Sequence, residues 1–245
     1  MIQKFQYLIQ TQDGKTIPSF WAYRLYSALL ERLPTEFADA VHKQGFSGIS
    51  QYIHFDYEKK QSIWVISLLT DVAIAYCASI LNSLTQLRLH DSIINLKKIQ
   101  QSNTLTADDI MLQAEQLPSS HSVHIVFHNA ASFKSNGNYQ IFPTLPLILQ
   151  SLLQHWNQVF PKTSLDDADA IQMLLSGLEI RSYRLKSSAY RLKQNSISGF
   201  CGEIVISSKL SPPMLELWKT LLIFSEYAGI GIKTALGMGG ISIFV

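Results

Sequence analysis

The chain has 245 residues, 47% of them hydrophobic and 16% charged. That is enough apolar material for one large domain or two small ones, and it excludes a disordered chain. The formal net charge of +2 excludes a uniformly basic coat, so any surface for nucleic acid has to be local.

Cys77 and Cys201 lie far apart in apolar contexts and read as reduced thiols of a cytoplasmic protein. The run Leu145 to Leu153 is broken by Pro146 and Gln150 and is too short to span a bilayer. The N-terminus alternates like a strand and lacks the apolar block of a signal peptide.

In chain order, Ile2 to Gln10 reads as a strand and Thr11 to Gly14 as a turn. Pro18 to Leu33 reads as a helix, with Trp21, Leu25 and Leu29 on one stripe and Tyr26, Leu30 and Leu33 on another. Pro34 opens a short second helix that Gly45 stops, with Phe37 and Val41 inward. Gly48 to Phe55 and Ser62 to Leu68 are two strands around a polar turn, and Asp71 to Leu84 is a helix. Gln86 to Ile99 is strand-like with a break at His90-Asp91. The outline is strand, helix, strand, strand, helix, strand, the ferredoxin-like pattern.

Gln100 to Ser120 is polar, with a short helix near Thr104 and Asp108, and a domain boundary is expected there. The second half repeats the outline. His121 to His128 is a strand, Phe133 to Phe142 a hairpin around Asn136-Gly137, and Leu145 to Phe160 and Asp166 to Leu175 are helices. Leu178 to Tyr190 and Ser198 to Ser208 are long strands, and Pro212 to Tyr227 is a helix. The expected class is α+β, with two tandem ferredoxin-like (βαββαβ) domains at residues 1–118 and 119–245.

Between the last helix and a final strand from Ile241 runs the densest glycine segment of the chain, with Gly229, Gly231, Gly237, Gly239 and Gly240 around Lys233-Thr234. Its order, helix then glycines then strand, is the reverse of a dinucleotide or P-loop junction. Glycine still lets a backbone approach a bulky anion, and Lys233 adds charge. A helix cap with a β-bulge is the plainer alternative.

Three stretches resemble the CRISPR-associated repeat-RNA endoribonucleases, the "Cas six" family of RAMP proteins. They are Tyr227-Ala-Gly-Ile-Gly-Ile-Lys-Thr-Ala-Leu-Gly-Met-Gly-Gly240, Phe127-His-Asn-Ala-Ala-Ser-Phe133 with Phe142-Pro143 and Ser151-Leu-Leu-Gln-His-Trp-Asn157, and Gly199-Phe-Cys-Gly-Glu203. The resemblance implies two ferredoxin-like domains and a CRISPR repeat RNA as substrate in antiviral defence. It also implies metal-independent cleavage, in which the 2′-hydroxyl attacks the adjacent phosphate and leaves a 2′,3′-cyclic phosphate. Many members hold the product crRNA within an effector complex with other subunits. A catalytically silent crRNA-binding subunit is the alternative within the family. A small-molecule enzyme of the same fold is the alternative outside it. The expected state is a monomer or homodimer without cofactor or membrane contact.

Such a reaction needs an acid, a base and a cation for the phosphorane charge. His42 is the candidate acid or base: it ends the short helix, where the dipole favours an imidazolium, and family members often carry their catalytic His there. Tyr26 matches a helical tyrosine that assists in some members, although Leu30 one turn on also fits a core position. Lys43 is the candidate cation, but beside His42 on a helix it points elsewhere. No clear counterpart follows for the lysine that some members place after the His.

Arg181, Arg184, Lys186, Arg191 and Lys193 form the best local basic cluster, with Tyr183 and Tyr190 among them; along an extended strand Arg184 and Lys186 share one face, and so do Arg191 and Lys193. Such a stripe can track phosphates while tyrosines stack bases, or it can be a solvated edge that resists aggregation. Gly229, Gly231, Lys233, Thr234, Gly237, Gly239 and Gly240 complete the expected RNA contacts. His121, His124 and His128 have no acidic or thiol companions at metal-ligand spacing, and no metal site is expected.

Overall fold

A computed structural model describes residues 1–245 except 38, 40–45, 90 and 194. The first sheet contains β1 (Gln3–Thr11), β2 (Ile49–Asp56), β3 (Gln61–Leu68), β4 (Gln86–Leu89) and β5 (Ser92–Gln101), in the order β2-β3-β1-β5-β4. Helix α1 (Ala22–Leu30) follows β1, and α2 (Asp71–Ser83) links β3 to β4. Every pairing is antiparallel. Without the β4 edge, this is the ferredoxin-like order.

Alternation places Phe5, Tyr7 and Ile9 of β1 on one face, where they are fully buried with Leu25 and Leu29 of α1 and Cys77 and Leu81 of α2. Each such large side chain contributes about 1.5–3 kcal/mol by leaving water. Thr70 caps α2 by accepting from the Ala73 amide at 3.1 Å.

The second sheet contains β6 (Ser122–Ala131), β9 (Leu178–Leu192), β10 (Asn195–Ser208) and β11 (Ile241–Phe244), in the order β11-β6-β10-β9. It has the same topology as the first. A small hairpin, β7 (Phe133–Ser135) and β8 (Asn138–Gln140), stands apart from it. Between these elements lie α3 (Ala107–Gln116), α4 (Leu145–Val159), α5 (Ala168–Gly177) and α6 (Pro212–Ala228). Proline opens both α4 and α6, where its missing N–H costs nothing. Val123, Ile125 and Phe127 of β6 point into a core with Leu152, Trp156, Leu221 and Phe224.

Three differences from the sequence expectation have local causes. The segment from Pro18 starts as a 3₁₀ turn, Ser19–Trp21, before α1, which ends at Leu30. Gln86 to Ile99 is a tight hairpin rather than one broken strand. Leu87 and Leu89 on one arm and Ile94 and Leu96 on the other both reach the first core. The polar helix α3 packs with α6, because Ala107, Ile110 and Ala114 form one apolar stripe that joins the second core. No helix among the described residues is long and apolar enough to cross a membrane.

Candidate active site at the glycine-rich loop

The loop leaves α6 at Gly229 (φ 75°) and returns as β11. Its two arms are bonded to each other and to β6. The amide of Ile230 donates to Gly239 O at 2.9 Å, that of Gly239 to Ala130 O at 3.0 Å, and that of Ile232 to Ser132 O at 2.9 Å. Buried Asn129 donates to Gly237 O and accepts from the Gly240 amide at 2.9 Å.

All five glycines are buried, and the space a Cβ would need is already filled by the protein. The Tyr52 ring lies over Gly240, Tyr190 and Ala22 meet Gly237, and carbonyls of Ser132 and Ile230 meet Gly231 and Gly239. Gly229 faces Gly239 O and Thr234. The glycines thus let backbone pack on backbone and on aromatic rings, and they present little of themselves to a ligand.

The tip differs. Lys233 is exposed and left-handed (φ 58°), and it precedes a single 3₁₀ turn, Thr234–Leu236. Among the described residues, no hydrogen bond takes up the amides of Lys233, Thr234 and Ala235. Three successive free N–H groups beside an ammonium make a ready partner for an anion.

The tip is tied to the first sheet from behind. Trp64 Nε1 donates to Gln51 Oε1 at 2.8 Å, and Gln51 Nε2 donates to Ala235 O at 3.0 Å. Tyr190 Oη donates to Leu236 O at 2.8 Å.

In front of the tip is a cleft of about 400 Å³, lined by Tyr26 of α1, Ser47, His155 and Gln158 of α4, and Lys233 and Thr234. Burial raises the Tyr26 phenol above its usual value, against a hydrogen bond with Ser47, so it stays protonated. Burial lowers the His155 imidazole, which is therefore neutral near pH 7. His42 and Lys43 lie outside the described residues; the chain after residue 45 continues directly into Phe46 and Ser47 on the cleft wall.

The basic residues do not form one stripe. Arg184 and Lys186 share the outer face of the second sheet, opposite Glu203 and Cys201 on β10. Arg184 Nη1 is 3.2 Å from Glu203 Oε1, and His124 Nε2 is 2.9 Å from Glu203 Oε2. Lys186 looks into a second cleft, of about 610 Å³, with His54, Tyr57 and His128. Arg191 falls on the opposite face by strict alternation. Lys193, in the β9–β10 turn, lines a third cleft with Arg24 and Arg88.

His128, read from sequence as part of a polar strand face, accordingly sits between the sheets. Its ring centroid is 4.7 Å from that of His54, and its Nε2 is 2.8 Å from Ser242 Oγ. Burial and the nearby His54 hold its pKa down to about 4. Among the described residues, no group of three or more His, Cys, Asp or Glu is arranged to hold a metal ion.

The sequence reading quoted His155 within a family-like block but gave it no role. A partial signal was present: Ser151, His155 and Gln158 are polar positions at i, i+4 and i+7 on a Leu-rich helix that also carries Gln150, Gln154 and Asn157.

The chain is similar in sequence and in fold to known proteins. The family model "CRISPR-associated endoribonuclease Cas6" matches residues 125–241. A CRISPR-associated endoribonuclease Cas6 of Streptococcus thermophilus is 29% identical over 223 residues, covering 91% of this chain and 90% of that protein. Among solved structures, a Cas6 product complex superposes with a TM-score of 0.81 at 22% identity, covering 100% of both chains. Thermus thermophilus Cas6 superposes with a TM-score of 0.74 at 19% identity, covering 100% of this chain and 98% of that one.

Proposed function

We propose that the chain is a member of the CRISPR-associated endoribonuclease Cas6 family, whose model matches residues 125–241, and that it binds CRISPR repeat RNA and cuts the precursor transcript without a metal ion. The 2′-hydroxyl attacks the adjacent phosphate, giving a 2′,3′-cyclic phosphate and a free 5′-hydroxyl. The observation that carries this reading is the tip of the loop. Lys233, Thr234 and Ala235, whose amides take no hydrogen bond among the described residues, line a cleft that also holds Tyr26, Ser47 and His155. Charge develops on the phosphorane oxygens in this reaction, and donors fixed in advance stabilise it without reorganising.

In this reading Lys233 and Thr234 contact the scissile region, while Gly229, Gly231, Gly237, Gly239 and Gly240 shape the loop that presents them. His42, five residues before Ser47 in the sequence, protonates the leaving 5′-oxygen. Tyr26 stays protonated and donates a hydrogen bond, and Lys43 adds to the local positive field. Arg184 and Lys186 hold RNA further along the outer sheet face, with Arg191 and Lys193 at the far end of the hairpin.

The test is incubation of the protein with labelled CRISPR repeat RNA of its host, in EDTA, beside a substrate with a 2′-deoxy group at the cut. Cleavage of the first and not the second is expected. His42→Ala should lose cleavage and keep RNA binding. Binding without any cleavage by the wild-type protein would instead make this chain a crRNA-holding subunit.

A further inference from the structure

Helix α4 is apolar on the faces that meet the second core, where Leu149, Leu152, Leu153 and Trp156 are buried. One polar stripe, Ser151, His155 and Gln158, runs toward the loop and the cleft. Ser151 Oγ accepts the Gly231 amide at 2.8 Å. One turn on, His155 Nδ1 lies 3.3 Å from Gly229 O. Gln158 follows on the cleft wall. The stripe therefore grips the first arm of the loop at two places and ends at the cleft.

A carbonyl only accepts, so His155 carries its proton on Nδ1 and donates it to Gly229. The lone pair is then on Nε2. No partner for Nε2 exists among the described residues, and the side chain lines the cleft. A neutral imidazole with a free Nε2, fixed by a helix and a bonded carbonyl, is a proton acceptor held in place.

We propose that His155 is the general base of the cleft, taking the proton of the attacking 2′-hydroxyl through Nε2. The proposal rests on the endoribonuclease reading above. In the step, the O2′–H bond breaks as O2′ bonds to phosphorus, and the proton passes to His155. The bond from phosphorus to O5′ breaks with its electron pair, and O5′ takes a proton from His42. His155 then returns its proton to solvent, and His42 takes one up from solvent. The titratable groups that share the cleft among the described residues are Tyr26 on α1 and Lys233 on the loop. Burial raises the Tyr26 phenol, so it stays protonated, while His155 is the described imidazole of the cleft and its Nε2 lone pair is open to accept.

The experiment is single-turnover cleavage of host repeat RNA by the full chain in EDTA, across pH, for wild type, His155→Asn, His155→Ala and His42→Ala. Each is tested with the normal substrate and with one whose bridging 5′-oxygen is sulfur, since a thiolate leaves without an acid. Asparagine keeps a donor for Gly229 but has no base.

His155→Asn and His155→Ala should both cut about 10²–10⁴-fold more slowly, with RNA affinity unchanged. The wild-type rate should fall on acidification only below the ordinary imidazole value of 6.5, because burial lowers this group. That fall should be missing in His155→Asn. The sulfur substrate should restore His42→Ala and leave His155→Asn slow. Wild-type rates in His155→Asn, or recovery of that variant by the sulfur substrate, would overturn the base assignment. Recovery in Asn of a rate lost in Ala would also overturn it, reducing His155 to a positioning residue. A wild-type protein that cuts neither substrate removes the nuclease reading, and the base assignment falls with it.

Discussion

The arms of the glycine-rich loop, residues 229–232 and 237–240, and its tip, residues 233–235, belong to one segment but satisfy their backbones differently. In the arms, amides bond to Ser225, Gly239, Ser151, Ser132, Ala130 and Asn129. Their glycines meet protein atoms wherever a side chain would begin. At the tip the carbonyls of Ala235 and Leu236 are held by Gln51 and Tyr190, while the amides of 233–235 take no hydrogen bond among the described residues. Glycine density therefore marks where the loop is packed, and the non-glycine residues between mark where it can act. A glycine-rich segment is easily read as a ligand cradle throughout, whereas here close packing accounts for the glycines themselves.

Substitutions in the two regions should separate stability from RNA affinity. The largest effect is expected at the arms. Gly239→Ala puts a Cβ onto Ile230 O at a φ of 68°. Backbone strain plus overlap should cost more than about 3 kcal/mol and lower Tm by about 6–12 °C. Thermal unfolding reads this, and a Tm within a degree of wild type would show that the arms are not tightly packed.

A middle effect is expected at the tether. Gln51→Leu leaves buried Trp64 Nε1 and Ala235 O without partners. The cost should be about 1–3 kcal/mol in denaturant unfolding. Cleavage should also slow, since the tip loses its hold on the first sheet. Full activity in this variant would mean that the tip keeps its shape without the tether.

The smallest stability effect is expected at the tip itself. Lys233→Gly removes a left-handed lysine and should leave stability unchanged or raise it by about 1 kcal/mol. The same change should weaken RNA binding and flatten the dependence of log affinity on log salt by about 0.7, one single-strand phosphate contact. An unchanged salt slope would take Lys233 out of the RNA interface and blur the distinction between arm and tip.

Much of the fold was legible along the chain. Alternation marked the N-terminal segment and His121 to His128 as strands, and the structure buries Phe5, Tyr7 and Ile9 and Val123, Ile125 and Phe127 on their inner faces. Helical spacing and Pro212 located α6, and the Asn136-Gly137 turn located the small hairpin. The order of elements was enough to pair them into two ferredoxin-like sheets. Less of the site was legible. The loop was found by its glycines, but their role was assigned to a ligand because a neighbour across space leaves no trace in a local pattern. Arg191 and Lys193 were grouped with Arg184 and Lys186 by proximity in sequence. Alternation already split them into two pairs, and the folded chain shows that Lys186 and Lys193 line different clefts.

The sequence by itself thus determined the periodic features: which segments are strands or helices, their order, and where the chain needs glycine. These follow from interactions within a few residues and from the repeat of each element. Tertiary structure alone decided that Ser151 and His155 of α4 hold a loop some 75 residues further on. It also decided that Gln51 joins Trp64 to that loop and that His54 meets His128 between the sheets. Those contacts depend on how two sheets and their helices pack, and packing fixes a side chain's partner and proton only once the whole core has closed around it.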